Sequence, residues 1–185
     1  MARRNTVAKA YERHVKAMQA AMGCITHGRF AGVVPKQVRL NAVYTLSLDQ
    51  GDPVPLWSSA GRLTFSAGQR FRIIHDADVV DGPYRTTTVN YWYQYALLDG
   101  RELLTYHWTP EATDSAQRLY PHLHVGFGLL DAQGLFIPGT FSKLHIPTAR
   151  VSLEAIVRFA IEELGVAPIP RNWNERLLRG EAALS

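Results

Sequence analysis

His122 and His124 stand one residue apart in Pro121-His122-Leu123-His124-Val125-Gly126-Phe127-Gly128-Leu129, where apolar and polar residues alternate. That alternation is the period of a β-strand, which sends Leu123, Val125, Phe127 and Leu129 to one face and both imidazoles to the other. Two rings on one face of a strand can reach a single ion or a single substrate atom. The same phase recurs twice. In residues 101–108, His107 alternates with Tyr106 and Trp108; in Lys143-Leu144-His145-Ile146-Pro147, Leu144 and Ile146 oppose Lys143 and His145. Four of the seven histidines thus fall on the polar side of three strands. If those strands adjoin, His107, His122, His124 and His145 converge.

Two chemistries follow from convergent imidazoles. Three or four neutral rings hold a divalent ion of zinc or iron type with a position left for water, whose pKa the ion lowers. Without a metal, one histidine serves as general base and another as general acid for phosphodiester cleavage, with Arg85, Lys143 or Arg150 stabilising charge on the phosphoryl oxygens. Metal needs fewer assumptions for clustered histidines. A formal net charge of +4, carried mostly by arginine, favours anionic partners such as RNA or nucleotides. Two alternatives stand beside these: a non-catalytic binding or antitoxin-like subunit whose aromatic and arginine residues form an interface, and a His-ligated metal enzyme acting on another small substrate.

The element that must position these groups is a hairpin. Val89 to Leu98 is aromatic and β-branched, Asp99-Gly100 is a strong two-residue turn signal, and 101–108 returns. With Asp99 and Gly100 as the loop, partner positions sum to 199, which pairs Trp92 with His107, Tyr93 with Tyr106 and Gln94 with Thr105. Tyr91, Tyr93, Tyr95, Leu97, Leu104, Tyr106 and Trp108 then form the buried face. Asn90, Trp92, Gln94, Thr105 and His107 form a mixed, polar one, and Glu102 falls on the side away from the histidines.

Around it, Val7, Tyr11, Val15, Met18 and Met22 recur at helical spacing within residues 3–22, ended by Gly23. His14 and His27 are read as surface residues. Residues 36–49 alternate as a half-buried strand, and 63–66 with 69–74 read as a hairpin around Ala67-Gly68. Ser152 is a good N-cap with Val151 and Ile156 as a hydrophobic staple, Gly165 stops that helix, and a short helix over 174–179 follows with Trp173 as its anchor. The fold expected is α+β: a twisted antiparallel sheet packed by an N-terminal and a C-terminal helix, forming one domain over 1–185.

Tyr93-Gln94-Tyr95-Ala96-Leu97, Gly100, Tyr106-His107-Trp108, His122-Leu123-His124 and Ser152-Leu153-Glu154 follow one another in an order that resembles the TumE-type toxins of bacterial type IV toxin-antitoxin pairs. The resemblance covers the second half of the chain, with 85–165 as the toxin-like core. It implies an antiparallel α+β fold, a toxin-like or defence-associated role and a cognate antitoxin or complex subunit as partner. Tyr106-His107-Trp108 replaces that family's Tyr-Asp-Asn strand end. Other motifs fail: Gly126 stands where the histidine-triad nucleotide hydrolases carry a third His, and the paired H-x-T of the 2H phosphoesterases is absent.

Cys24 is the sole cysteine, so any metal site must use His, Asp or Glu. No apolar run approaches the roughly 20 residues of a spanning helix. The sequence points to a cytoplasmic protein with no membrane partner.

Overall fold

The computed structural model describes residues 6–32, 36–59, 61–77, 82–111, 119–126 and 145–184. Helix α1 (Val7–Met22) is followed by strands β1 (Phe30–Ala31), β2 (Val43–Leu48), β3 (Val54–Ser58), β4 (Gly61–His75), β5 (Tyr84–Leu97), β6 (Glu102–Trp108), β7 (His122–Val125) and β8 (His145–Pro147), then helices α2 (Leu153–Glu162) and α3 (Trp173–Leu184). The eight strands form one antiparallel sheet in the order β1-β2-β4-β5-β6-β7-β8, with β3 also paired to β4. This is an α+β fold, its helices gathered on one face. No helix among the described residues is long and apolar enough to cross a membrane.

Alternation decides which face the helices cover. Tyr91, Tyr93 and Tyr95 of β5 and Phe65 and Phe71 of β4 are buried with Met18, Met22, Ile156, Val157 and Leu177 of the helices. Burying rings of that size contributes about 1.5–3 kcal/mol each. Tyr95 keeps its hydroxyl satisfied there, Oη donating to the Ile156 carbonyl at 2.7 Å. Ser152 caps α2 as its type requires, Oγ accepting from the Ala155 N–H at 3.1 Å. Gly165, past that helix, takes the left-handed φ of 63°.

Four expectations are corrected. Ala67 and Gly68 make no turn: β4 runs unbroken past them, because both are extended and paired with Tyr93 and Trp92 of β5. The strand expected over 36–49 is confined to β2, since Asn41 adopts a left-handed φ of 62° that breaks extension. His14 is 3% exposed, not a surface residue, because 11, 14, 15 and 18 share one helical face. The last helix is longer than 174–179, spanning Trp173–Leu184.

The hairpin of β5 and β6 holds a fifth correction. Leu97 N–H donates to the Arg101 carbonyl at 2.9 Å, so the loop is Leu98-Asp99-Gly100, three residues closed by Gly100 at φ 84°. Near the turn, partner positions sum to 198, as in Ala96 with Glu102. A β-bulge at Leu103 then restores 199, and Tyr95 pairs with Leu104, Tyr93 with Tyr106 and Trp92 with His107.

Candidate metal centre

Register places the histidines. Gly68, Trp92, His107 and His122 form one cross-strand row over β4 to β7; Ser66, Gln94, Thr105 and His124 form the next on the same face. His107 and His122 are direct partners, and His124 lies two positions along from His122. Neighbouring strands are about 4.8 Å apart, which is within reach of two imidazoles turned toward each other.

The rings do turn inward. His107 Nε2 lies 2.6 Å from His122 Nε2 and 3.0 Å from His124 Nε2. One ligand atom from each of the three histidines falls within 4.8 Å of the other two. His122 is 2% exposed, while His107 and His124 are half-buried.

Proton bookkeeping makes this arrangement unusual. His122 Nδ1 lies 2.8 Å from the Tyr120 carbonyl oxygen. A carbonyl only accepts, so Nδ1 carries the hydrogen and a neutral His122 presents a bare lone pair at Nε2. His107 Nε2 can then carry a hydrogen, which satisfies His122 but confronts an N–H or leaves nothing to offer His124; or it can be bare, which satisfies His124 and opposes two lone pairs at 2.6 Å. One nitrogen cannot serve both contacts. A cation accepting a lone pair from each of the three rings would resolve the conflict. A tetrahedral ion with bonds of about 2.0–2.1 Å would separate its ligand nitrogens by about 3.3 Å, so the contacts of 2.6 Å and 3.0 Å would widen by about 0.7 Å and 0.3 Å as the rings swing outward to hold it. The bond to the Tyr120 carbonyl is the kind of outer contact that would fix the tautomer of His122 if it ligated a metal.

Other site residues divide. The backbone of His145 pairs with His124 in β8, as the alternation requires; its side chain lies outside the described part of the structure, as does Lys143. Arg85 is ion-paired with Asp76, and its place seven residues before Trp92 on β5 puts it roughly 23 Å along the strand from the His107 row. Arg150 is on the helix side, its guanidinium 3.9 Å over the ring of the buried Trp108. Neither arginine joins the three histidines.

Two groups on the histidine face gain meaning from the structure. Glu102 faces the way Gln94 does, not the opposite way, because the bulge at Leu103 reverses its parity; Gln94 Nε2 donates to Glu102 Oε2 at 3.1 Å. Trp92 lies flat across Gly68, whose absent Cβ would sit 1.9 Å from the indole Cζ2. Arg70, half-buried and paired with Asn90, continues this face one row beyond Trp92.

No family model, curated protein or solved structure matches the chain.

Proposed function

We propose that the protein is a metal-dependent hydrolase whose centre is a divalent ion of zinc or iron type held by His107, His122 and His124, and whose substrate is a phosphodiester in RNA or a nucleotide. The carrying observation is the meeting of three Nε2 atoms, two of them 2.6 Å and 3.0 Å from the third. Three protein nitrogens leave a fourth position for water, whose pKa a zinc-type ion lowers toward 7. Glu102 supplies a carboxylate on the same face for moving a proton.

The substrate class rests on charge and on the surface beside the centre. The chain carries a formal +4, Arg70 extends the histidine face, and the half-buried Trp92 offers an aromatic plane in the His107 row on which a base can stack. A toxin-like role with a cognate antitoxin, in the cytoplasm, is the biological setting this reading fits; Cys24, buried and unpaired, is compatible with a reducing compartment.

Elemental analysis of the purified protein, followed by chelation and titration with Zn²⁺, Fe²⁺ and Mn²⁺, tests the centre. One ion per chain is expected, lost in His107→Ala and His122→Ala. Absence of stoichiometric ion under all three metals overturns it. Ion-dependent cleavage of single-stranded RNA or of a phosphodiester ester tests the activity. A loaded protein that leaves both intact removes the hydrolase and keeps the metal centre.

A further inference from the structure

The last two residues of β6 face opposite ways. His107 turns its ring to the open face of the sheet and the other two histidines; Trp108, paired through its backbone with Tyr91, is buried on the helix side. Two neighbours hold the indole in its plane, the Tyr91 ring at 6.1 Å between centroids and the Arg150 guanidinium at 3.9 Å. Its one polar group is then aimed. Trp108 Nε1 donates to the Leu119 carbonyl at 3.1 Å, and an indole nitrogen has no other role in a hydrogen bond.

Leu119 and Tyr120 lie just before β7, belong to no strand and are exposed, so burial does little to place them. Their carbonyls are what the fold holds. Three consecutive ones take a hydrogen each from a different element: Leu119 from the indole, Tyr120 from His122 Nδ1 at 2.8 Å, and Pro121 from the Thr148 N–H at 2.9 Å. The middle carbonyl is the one that sets the tautomer of His122. Its direction is constrained from both sides. Upstream, the bond to Trp108 holds the planar Leu119–Tyr120 peptide. Downstream, Pro121 has a fixed φ and restricts the residue before it, Tyr120, to extended backbone.

We propose that Trp108 is a positioning residue of the histidine centre: by holding the Leu119 carbonyl it keeps the Tyr120 carbonyl on His122 Nδ1, which leaves His122 Nε2 bare and facing His107. The inference deepens the metal reading and rests on it for any effect on an ion. The tautomer of His122, by contrast, is a property of the metal-free chain. Loss of an outer contact to a metal-ligating histidine costs about 10–100-fold in affinity. Trp108 acts one peptide away from that contact, so the expected loss is about tenfold, the lower end of the range.

The test compares full-length wild type with Trp108→Phe, which keeps an aromatic ring and loses the N–H. Imidazole nitrogen NMR on the metal-free proteins at pH 7.5 reads the tautomer, and titration with Zn²⁺ reads affinity. Wild-type His122 is expected to carry its hydrogen on Nδ1, and Trp108→Phe to move it in part to Nε2 and to bind Zn²⁺ about tenfold more weakly. Tyr95→Phe, which also removes a buried hydrogen bond on the helix side, should change neither. A wild-type hydrogen on Nε2, a Trp108→Phe protein that matches wild type in both readouts, or an equal effect of Tyr95→Phe overturns the proposal. If wild type takes up no ion the metal centre falls, and the tautomer comparison alone decides the role of Trp108. Should Trp108→Phe fail to fold, wild type decides: the Trp108 indole hydrogen must exchange with solvent at least tenfold more slowly than that of the exposed Trp57, and equal rates overturn the tether.

Discussion

His14 should make the fold acid-sensitive in a window that can be calculated. Burial lowers its pKa from the ordinary 6.5 to about 4, outweighing the opposing bond to Gln69. The folded state therefore holds the ring neutral over a range in which the unfolded chain protonates it. The unfolded state binds more protons there, so stability rises with pH; the contribution is complete above 6.5 and is lost as pH falls toward 4. For these two values, linkage gives a loss of about 2.5 kcal/mol between pH 7.5 and 4.5, with a limiting slope of about 1.4 kcal/mol per pH unit. The measurement is urea unfolding of wild type and His14→Gln across that range, with chelator present so that the other histidines titrate alike in both. The wild-type advantage at neutral pH should shrink by about 2.5 kcal/mol on acidification. Parallel stability curves for the two proteins would refute the reasoning, because they would show that His14 protonates as easily inside as outside.

Two further perturbations probe the packing that frames the histidine face. Gly68→Ala puts a Cβ 1.9 Å from Trp92 Cζ2, and a rigid indole cannot bend aside. Overpacking of this kind costs about 1–3 kcal/mol, or several degrees of Tm at about 2–4 °C per kcal/mol for a chain of this size. Scanning calorimetry that finds Tm unchanged would show that the indole is not seated on Gly68. Tyr95→Phe removes the bond from Oη to the Ile156 carbonyl that ties β5 to α2 and should cost about 0.5–1.5 kcal/mol in urea unfolding. A neutral outcome would mean that water replaces the hydroxyl at that carbonyl.

The periodic parts of this chain were legible as sequence. Leu123 and Val125 against His122 and His124 determined a face, and two adjacent strands in one phase sufficed to bring His107, His122 and His124 together. The Ser152 cap and the φ of Gly165 were equally readable, because each follows from one residue's own chemistry. What alternation cannot report is where a small residue serves a neighbour. Gly68 reads as a turn and is in fact the floor under Trp92. His14 reads as polar, yet its partners Gln69 and Thr86 are 55 and 72 positions away. Likewise Arg85 and Arg150 were assigned for their charge alone, and the fold places one far along β5 and the other on the helix side of the sheet.

The β5–β6 hairpin shows why a register can be right for a wrong reason. Asp99-Gly100 as a two-residue loop and Leu98-Asp99-Gly100 as a three-residue loop differ by one position, and a one-position slip turns every side chain of β6 to the other face. Uncorrected, the longer loop would direct His107 into the tyrosine core and Tyr106 outward. The bulge at Leu103 absorbs that residue before the strand reaches Thr105, and both Leu103 and Leu104 remain buried across it. The compensation acts only beyond the bulge. Glu102, on the turn side, keeps the parity of the longer loop and so joins Gln94 on the histidine face, where alternation from Thr105 would have buried a carboxylate among tyrosines. One extra residue in β6 thus lets an acid and His107 share a surface although five positions separate them, an odd spacing that a regular strand would place on opposite sides.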